Sequence, residues 1–370
     1  MFLSSIDLIS IRKHTNSRID FTDKINYIIG GNGVGKTSVL EAIYYISTTK
    51  SCITSSDSEV IKFGENEFSI RGNITGLTEE NVLVRYSRFE NKKTYILNSK
   101  QINKFSEVIG KFPVVLLSPT DHSITQGYPV DRRRFVDSVI SQASRTYLNL
   151  IVEYNRILKQ RTILLNRIRE NNLNTYNELE AWNERLVITG AEIINHRKIF
   201  VTEFKVYIED SYKKILIDEE IPDVYYYFLE DRSSEDVKDS YRKQLQQKEE
   251  DEIRRGINLV GPHKDDFVFH INGMNLKSYG SQGQHKTFQT ILRFSEYFYL
   301  KDKKNTTPLF LLDDVFGELD SKRAIEISHY LSEVGQAIIT LTDFGKFSYL
   351  KAGSGDQVIK LSENTKIIYA

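Results

Sequence analysis

The sequence has almost no cysteine, because Cys52 is the only one among its 370 residues. A lone thiol cannot form a disulfide within the chain, and it cannot supply the paired thiolates of a structural zinc site. The sequence therefore does not fit a small secreted domain held by disulfides, and it favours a reducing compartment. Hydrophobic residues make up 40% of the chain, which is enough for a sizeable core.

Long apolar runs are also missing, since no stretch approaches the roughly 18 to 20 residues that cross a bilayer. The first apolar stretch contains Asp7 and has neither a basic start nor a small-residue cleavage site. It therefore does not resemble a signal peptide. We expect a cytoplasmic protein that has no membrane partner.

The chain has no surplus of either charge, because 50 lysine and arginine residues balance 50 aspartate and glutamate residues. Any nucleic-acid site must therefore come from local segregation of charge. Residues 132–169 show such segregation, with nine basic residues against two acidic ones. A basic helical face can hold phosphate backbones, but a solvated amphipathic helix with internal ion pairs gives the same pattern. The candidate DNA contacts are Arg156, Lys159 and Arg167.

Glycine and proline divide the chain into three parts. They are rare from about Arg132 to Tyr212, where apolar residues recur at helical spacing. The highly charged region Glu230–Glu252 predicts a solvated or partly mobile helix. Mixed strand and helix patterns precede and follow this region. We predict an α/β domain, residues 1–118 and 255–370, split in sequence by a helical insertion at residues 119–254.

A phosphate-binding pattern, G-x-x-x-x-G-K-[ST], follows the predicted strand Ile25–Ile29 and precedes a predicted helix. The glycines allow backbone N–H groups to turn toward phosphate oxygens, and the helix N-terminus adds partial positive charge. The lysine suits the β and γ phosphates, and the threonine hydroxyl suits Mg²⁺. The pattern therefore predicts binding of ATP and Mg²⁺. The residues are Gly30, Gly31, Asn32, Gly33, Val34, Gly35, Lys36, Thr37 and the adjoining Ser38.

Two acids end a buried strand late in the chain, where Leu309–Leu312 is followed by Asp313 and Asp314. Such a strand holds its last side chains at the carboxyl edge of a sheet, where a phosphate loop also lies. Asp313 is the candidate Mg²⁺ ligand, and Asp314 is the candidate base that activates water. Taken alone, two acids at the start of a turn explain the pattern equally well.

Three further patterns distinguish ABC-type ATPases from other phosphate-loop proteins. Ser281-Gln282-Gly283-Gln284, before a helix predicted to begin near His285, resembles the ABC signature, with Ser281 and Gln284 as its candidate functional residues. Serine before a helix is also an ordinary N-cap. Leu319-Asp320 matches the D-loop and makes Asp320 a candidate catalytic residue. Thr340–Asp343 lies at the switch position, and Thr342 or Asp343 is a candidate γ-phosphate sensor.

Several longer runs resemble the RecF family, and the matches extend from residue 6 to residue 343. The most discriminating are the triple arginine and the Gly-Pro-His-basic-Asp-Asp run. The sequence departs from the family at Ser51–Thr54, where a Ser-His-Arg-Thr run is usual, and at Gly317, where serine is common. The longest matching runs are Leu40–Tyr44, Arg132–Asp137, Gly261–Asp266 and Asp313–Asp320, and shorter matches are Ile25-Asn26, Ser118-Pro119, Trp182 and Gly190-Ala191.

The resemblance implies an ABC-type ATPase head with a helical lid domain. It implies ATP-dependent homodimers, in which each nucleotide lies between one phosphate loop and the partner's signature. It also implies binding to duplex DNA or a single-strand/duplex junction, slow hydrolysis, cooperation with RecR and RecO, and a role in recombinational repair during DNA damage and replication.

Three other functions remain open at the level of the sequence. An ABC transporter's ATP subunit usually carries a switch histidine, which is missing here. A small-molecule kinase with a phosphate loop does not explain the order of the signature and D-loop. An ATP-gated clamp with negligible hydrolysis is compatible with Gly317 and with the altered Ser51–Thr54 run.

Overall fold

The computed structural model describes residues 1–170, 176–216, 220–229, 236–318, 321–342, 353–362 and 367–369. Contacts divide the chain into two compact units. Unit 1 combines residues 1–121, 210–218 and 286–370, and unit 2 combines residues 122–209 and 219–285. Each unit is therefore assembled from segments that are distant in sequence.

The strands follow the alternating and apolar patterns of the sequence, and the predicted strands Ile25–Ile29 and Leu309–Leu312 are confirmed. In chain order, the strands are β1 (Phe2–Ile11), β2 (His14–Asp20), β3 (Ile25–Ile29), β4 (Glu67–Thr75), β5 (Glu79–Ser87), β6 (Lys92–Leu97), β7 (Lys100–Ile102), β8 (Val114–Leu117), β9 (Pro222–Tyr227), β10 (Asp266–Ile271), β11 (Met274–Asn275), β12 (Leu309–Asp313), β13 (Ala337–Leu341), β14 (Gln357–Leu361) and β15 (Ile367–Tyr369).

The longest helices lie in the region where glycine and proline are rare. In chain order, the helices are α1 (Lys36–Thr48), α2 (His122–Gln126), α3 (Pro129–Ala143), α4 (Arg145–Arg169), α5 (Tyr176–Ile215), α6 (Val237–Arg255), α7 (Leu276–Tyr279), α8 (Gln282–Lys304) and α9 (Ser321–Tyr330). Within the part of the chain described, no helix combines the length and the apolar character needed to cross a membrane.

Unit 1 contains two six-stranded sheets with a helix between them. The first sheet is antiparallel, in the order β2-β1-β4-β5-β6-β7, and the second has the order β15-β14-β3-β13-β12-β8. Helix α1 contacts strands of both sheets. Its side chains are buried on most sides, as expected for a helix enclosed by other elements. This packing fixes the start of α1, and with it the end of the phosphate loop.

The second sheet brings the ends of three parallel strands to one edge. Strand β13 pairs in parallel with β12 on one side and with β3 on the other. Asp313 is the register partner of Thr340, and Leu341 is the register partner of Ile29. The loop after β3 and the acids at the end of β12 are therefore separated by a single strand.

Unit 2 combines helices with the three-stranded sheet β11-β10-β9. The insertion was predicted to end at residue 254, but unit 2 continues to His285. The reason is strand pairing, because β10 pairs along its length with β9. The segment after residue 255 thus shares a sheet with the segment that precedes α6.

Buried ion pairs explain part of the charge in unit 2. Arg161 is 1% exposed, and it donates to the Glu252 carboxylate at 2.7 Å. Arg132 makes a two-pronged contact with Asp266 at 2.7 and 2.9 Å. The solvated or partly mobile helix predicted within Glu230–Glu252 corresponds in the described residues to α6. Its solvated character is wrong for one face, because Glu252 is buried there and neutralises Arg161. The sequence also predicts a turn between two long helices at Asn171–Asn174, and these residues lie outside the described part of the chain.

Candidate functional site

The predicted phosphate-binding residues form one loop between β3 and α1. Gly33 and Gly35 have φ angles of 77° and 105°, in the left-handed region that side chains with a Cβ atom rarely adopt. A Cβ on Gly30 would lie 2.2 Å from the Leu361 carbonyl oxygen. Gly31, Asn32, Gly33 and Thr37 are exposed, while Lys36 and Ser38 are buried. The loop thus combines an accessible tip with a supported base, which suits a phosphate ligand.

Lys36 lies folded against its own loop. Its Nζ atom donates to the carbonyl oxygens of Gly30 at 2.7 Å and Gly31 at 2.9 Å. Burial lowers the pKa of Lys36, while the Asp314 and Asp313 carboxylates act in the opposite direction. The lysine is therefore a cation held close to the glycine cradle, within electrostatic reach of both acids.

Support for the loop comes from a histidine that no sequence pattern singles out. The ring of His14 is fully buried, with Nε2 at 3.1 Å from the Gly35 carbonyl oxygen and Nδ1 at 3.0 Å from Ser17 Oγ. Because a carbonyl only accepts, Nε2 must carry the proton. Burial lowers the pKa of His14, and the Lys62 charge adds to this effect, which keeps the ring neutral.

The first of the two acids is joined directly to the phosphate loop. Thr37 Oγ1 donates to Asp313 Oδ1 at 3.0 Å, and these are the two side chains predicted to hold Mg²⁺. Hard oxygen donors of this kind are the ligands that Mg²⁺ prefers. Asp314 follows with a φ of 50°, so the chain leaves the extended conformation at the predicted catalytic acid.

An ion pair supports α1 behind the phosphate loop. Arg12 makes a two-pronged contact with Glu41, with both distances at 2.8 Å, and the Glu41 side chain is completely buried. Ser51 donates to the same carboxylate and accepts the backbone N–H groups of Ile53 and Thr54. The Ser51–Thr54 run, which departs from the family pattern, therefore forms a turn anchored to α1.

In unit 2, the predicted signature residues form a reciprocal helix cap. The Gln284 N–H donates to Ser281 Oγ at 3.2 Å, and the Ser281 N–H donates to Gln284 Oε1 at 2.8 Å. This cap explains why α8 begins at Gln282 and not near His285, as was predicted. Gln284 also donates from Nε2 to Glu220 at 2.8 Å. Ser281 is therefore a helix cap, and it can still be part of an ABC signature, because a capped helix N-terminus retains its partial positive charge.

The remaining predicted residues divide into those described and those not. The D-loop pair Leu319-Asp320 and the sensor candidate Asp343 lie outside the described residues. Thr342 lies just after β13, at the sheet edge that carries the two acids.

The three candidate DNA contacts lie on one exposed face of α4. Arg156, Lys159 and Arg167 are all exposed, and their spacing places them along one side of a helix. We call this face, with Arg145, Val152 and Ile163, the basic stripe. Arg156 has a 3.6 Å contact with Glu153, so it is partly paired. The nearby Arg161 belongs to the interior, as described above.

The fold and the site together indicate the class of protein to which the chain belongs. A largely parallel sheet that brings a glycine cradle, a lysine and two acids to one edge is typical of the head domain of an ABC-type ATPase. The family model described as the RecF/RecN/SMC N terminal domain matches residues 2–365. An SMC head domain from Pyrococcus furiosus shares the fold at a TM-score of 0.57 and 15% identity.

More specific similarity comes from individual proteins. The DNA replication and repair protein RecF of Chloroherpeton thalassium is 39% identical over 362 residues, covering 95% of this chain and 97% of that protein. RecF of Salinibacter ruber is 36% identical, covering 94% and 86%. A solved structure of the recombination mediator protein RecF with ATP, in the RecFOR pathway, has a TM-score of 0.90 at 27% identity and covers 100% and 97%. The chain belongs to the RecF family.

Proposed function

We propose that this protein binds ATP, hydrolyses it slowly, and acts in recombinational repair as an ATP-dependent dimeric clamp on DNA. The observation that carries the proposal is the meeting of Lys36, Thr37, Asp313 and Asp314 at one edge of the parallel sheet of unit 1. RecF relatives covering nearly the whole chain support the same role.

The residues present fit ATP and Mg²⁺. The backbone of Gly30–Gly35 would cradle the phosphates, with Lys36 as the cation for their outer oxygens. Thr37 and Asp313 would hold Mg²⁺, and the Arg12–Glu41 pair and His14 would keep the loop in shape. When bound, Mg²⁺ neutralises charge that develops on the phosphate oxygens.

Asp314 is the residue that we propose activates the attacking water molecule. A carboxylate within reach of the phosphate loop can orient a water molecule and accept its proton. Burial lowers the pKa of Lys36 and the charge of Asp314 acts to raise it, so the candidate base Asp314 and the cation Lys36 lie in the same site. Slow turnover is expected from the resemblance, and negligible turnover would still be compatible with a clamp gated by ATP binding.

Dimerisation follows from how ABC heads complete their sites. Ser281 and Gln284 cap α8, and the positive end of that helix suits an anion. In the proposed dimer, this end would face the γ-phosphate bound by the partner copy, and Asp320 of the D-loop is a further candidate catalytic residue. ATP would then join the two copies, and hydrolysis would let them separate.

DNA is the proposed cargo of the closed dimer, with the basic stripe of α4 as its contact surface. Contacts of this kind neutralise phosphates without reading sequence. Single-strand/duplex junctions are the expected substrate. RecO and RecR are the expected protein partners, by analogy with the RecFOR pathway named for the solved relative.

Sedimentation tests the clamp directly. Wild type, Lys36→Met and the surface control Lys100→Met are compared with and without ATP-Mg²⁺ and a gapped duplex. We expect wild type and the control to form dimers with ATP and then to retain DNA, because both keep the phosphate cation. Lys36→Met should remain monomeric. A wild type that stays monomeric with ATP and ignores DNA would refute the clamp.

A further inference from the structure

Thr340 occupies the strand between the phosphate loop and the two acids. Its register partners are Asp313 on β12 and Ile28 on β3, and it is 0% exposed. A buried hydroxyl needs hydrogen-bond partners, because an unpaired polar group is costly in the interior. The partners that Thr340 contacts lie on β12 or directly after it.

One hydroxyl serves both acids at once. Thr340 Oγ1 has a single proton, and the shorter of its two acceptor contacts is Asp313 Oδ1 at 2.7 Å, against 3.4 Å for the Leu312 carbonyl oxygen. The same oxygen accepts the Asp314 backbone N–H at 2.9 Å. Asp313 Oδ1 is therefore held between two hydroxyls, one from Thr340 and one from Thr37.

The bond to the Asp314 amide matters because of the backbone there. Successive side chains of a strand point to opposite faces, so two adjacent acids can serve one site only if the chain leaves the extended conformation. Asp314 does so with a φ of 50°, a region that is unfavourable for residues other than glycine. The hydrogen bond to Thr340 stabilises this conformation.

We propose that Thr340 is a positioning residue for the hydrolysis reaction, fixing the Asp313 carboxylate for Mg²⁺ and the Asp314 backbone for water activation. The inference rests on the proposed function, since it assigns Thr340 a role in the same site. It predicts that removing the hydroxyl leaves binding of nucleotide without metal intact. It also predicts that the metal-dependent steps are impaired.

The test compares Thr340→Val, which keeps the shape, with Thr340→Ser, which restores the hydroxyl. Thr290→Val is the matched control, because Thr290 is also buried and donates to the Lys286 carbonyl oxygen. Binding of a fluorescent ATP analogue is titrated against Mg²⁺, and ATP turnover is measured at saturating Mg²⁺. Thermal melting without nucleotide checks that each variant folds, and Thr340→Ala replaces the valine variant if it does not.

We expect Thr340→Val to need roughly 10 to 100 times more Mg²⁺, or to lose turnover by a similar factor, as is usual for residues that orient metal ligands. Thr340→Ser and Thr290→Val should behave like wild type. A Thr340→Val protein that matches wild type in both readings overturns the proposal, and so does a loss that serine fails to rescue. If wild type itself does not hydrolyse ATP, the proposed enzyme activity fails, and the Mg²⁺ titration still decides the role of Thr340.

Discussion

The Gly35 peptide is held by the imidazole of His14. Because Nε2 donates to the Gly35 carbonyl oxygen, that carbonyl is fixed toward β2, and the following amide of Lys36 is turned away from it. Gly35 also accepts the Val39 N–H at 3.3 Å, so one carbonyl carries both the loop support and an early bond of α1. The neutral ring is thus a scaffold for the phosphate cradle.

We predict that His14→Phe weakens ATP binding about fivefold, because losing one hydrogen bond costs about 1 kcal/mol. His14→Gln should retain most of the affinity, since its amide can donate from a similar position. Titration with a fluorescent ATP analogue measures both. His329→Gln, at an exposed histidine of α9, is the control. Equal affinity for the wild-type and phenylalanine proteins would contradict the scaffold role.

At this scale, the sequence predicts residues whose spacing along the chain carries the chemistry. Lys36, Thr37, Asp313 and Asp314 were identified in this way, and Thr37 and Asp313 meet in the structure. His14 could not be identified, because its partner Gly35 lies on another segment and the sequence around either residue gives no sign of the contact. The role of the Thr340 hydroxyl could not be predicted either, because it contacts Asp313 only through the pairing of two parallel strands, β12 and β13.

The α4 helix is the element on which DNA binding depends. We predict that replacing Arg156, Lys159 and Arg167 together by glutamine weakens DNA binding and lowers the slope of its salt dependence by about 2 to 3. Each phosphate contact contributes roughly 0.9 to that slope. Fluorescence anisotropy with a gapped duplex, measured across a salt series, gives both quantities.

A control with equal loss of charge separates local contact from general electrostatics. Lys92, Lys100 and Lys104 are exposed cations of unit 1, and their replacement by glutamine also removes three positive charges. The control should keep the wild-type slope. If both triple variants lose the same slope, or neither does, the basic stripe is not the DNA contact surface.

Helical periodicity predicts which face of an element is buried, but it does not predict the partner of a buried charge. The sequence predicts one apolar face of α4, formed by Tyr147, Ile151, Tyr154, Leu158, Leu165 and Ile168. Four of these residues are buried, and Ile151 and Leu158 are half-buried. Arg161 lies among them because Glu252, Asn258 and Asn183 accept its guanidinium hydrogens. Composition alone gave this arginine the same weight as the exposed ones.

For the whole molecule, the split architecture follows from where glycine and proline are rare, but the exact boundaries do not. Unit 2 extends beyond α6 because β10 pairs with β9, and such long-range pairing has no local signature. Gly261 has a φ of 128°, a backbone conformation that residues with a Cβ atom rarely adopt. A Cβ there would lie 1.9 Å from the Tyr241 hydroxyl, so the turn before β10 requires glycine.

His263, two residues beyond this turn, makes stability of unit 2 sensitive to acid. Its Nε2 lies 3.2 Å from the Asn258 carbonyl oxygen and its Nδ1 lies 2.8 Å from the Tyr154 hydroxyl. The carbonyl can only accept, so Nε2 donates, and Nδ1 accepts from tyrosine. The neutral ring therefore satisfies both neighbours, and a second proton, on Nδ1, would take away the acceptor to which Tyr154 donates. Burial lowers the pKa of His263 to about 4.

The direction of the pH effect follows from proton counts. Between pH 6.5 and about 4, the unfolded chain binds a proton at His263 that the folded chain does not, so acid favours unfolding. The contribution is fully present above pH 6.5, and about 3 kcal/mol is lost as the pH falls to 4, at 1.36 kcal/mol per pKa unit.

We predict that hydrogen exchange of unit 2 peptides in wild type accelerates over this range more steeply than in His263→Gln, after correction for the intrinsic pH dependence. His329→Gln should follow wild type. Identical profiles for wild type and His263→Gln would show that His263 takes up its proton without opening unit 2.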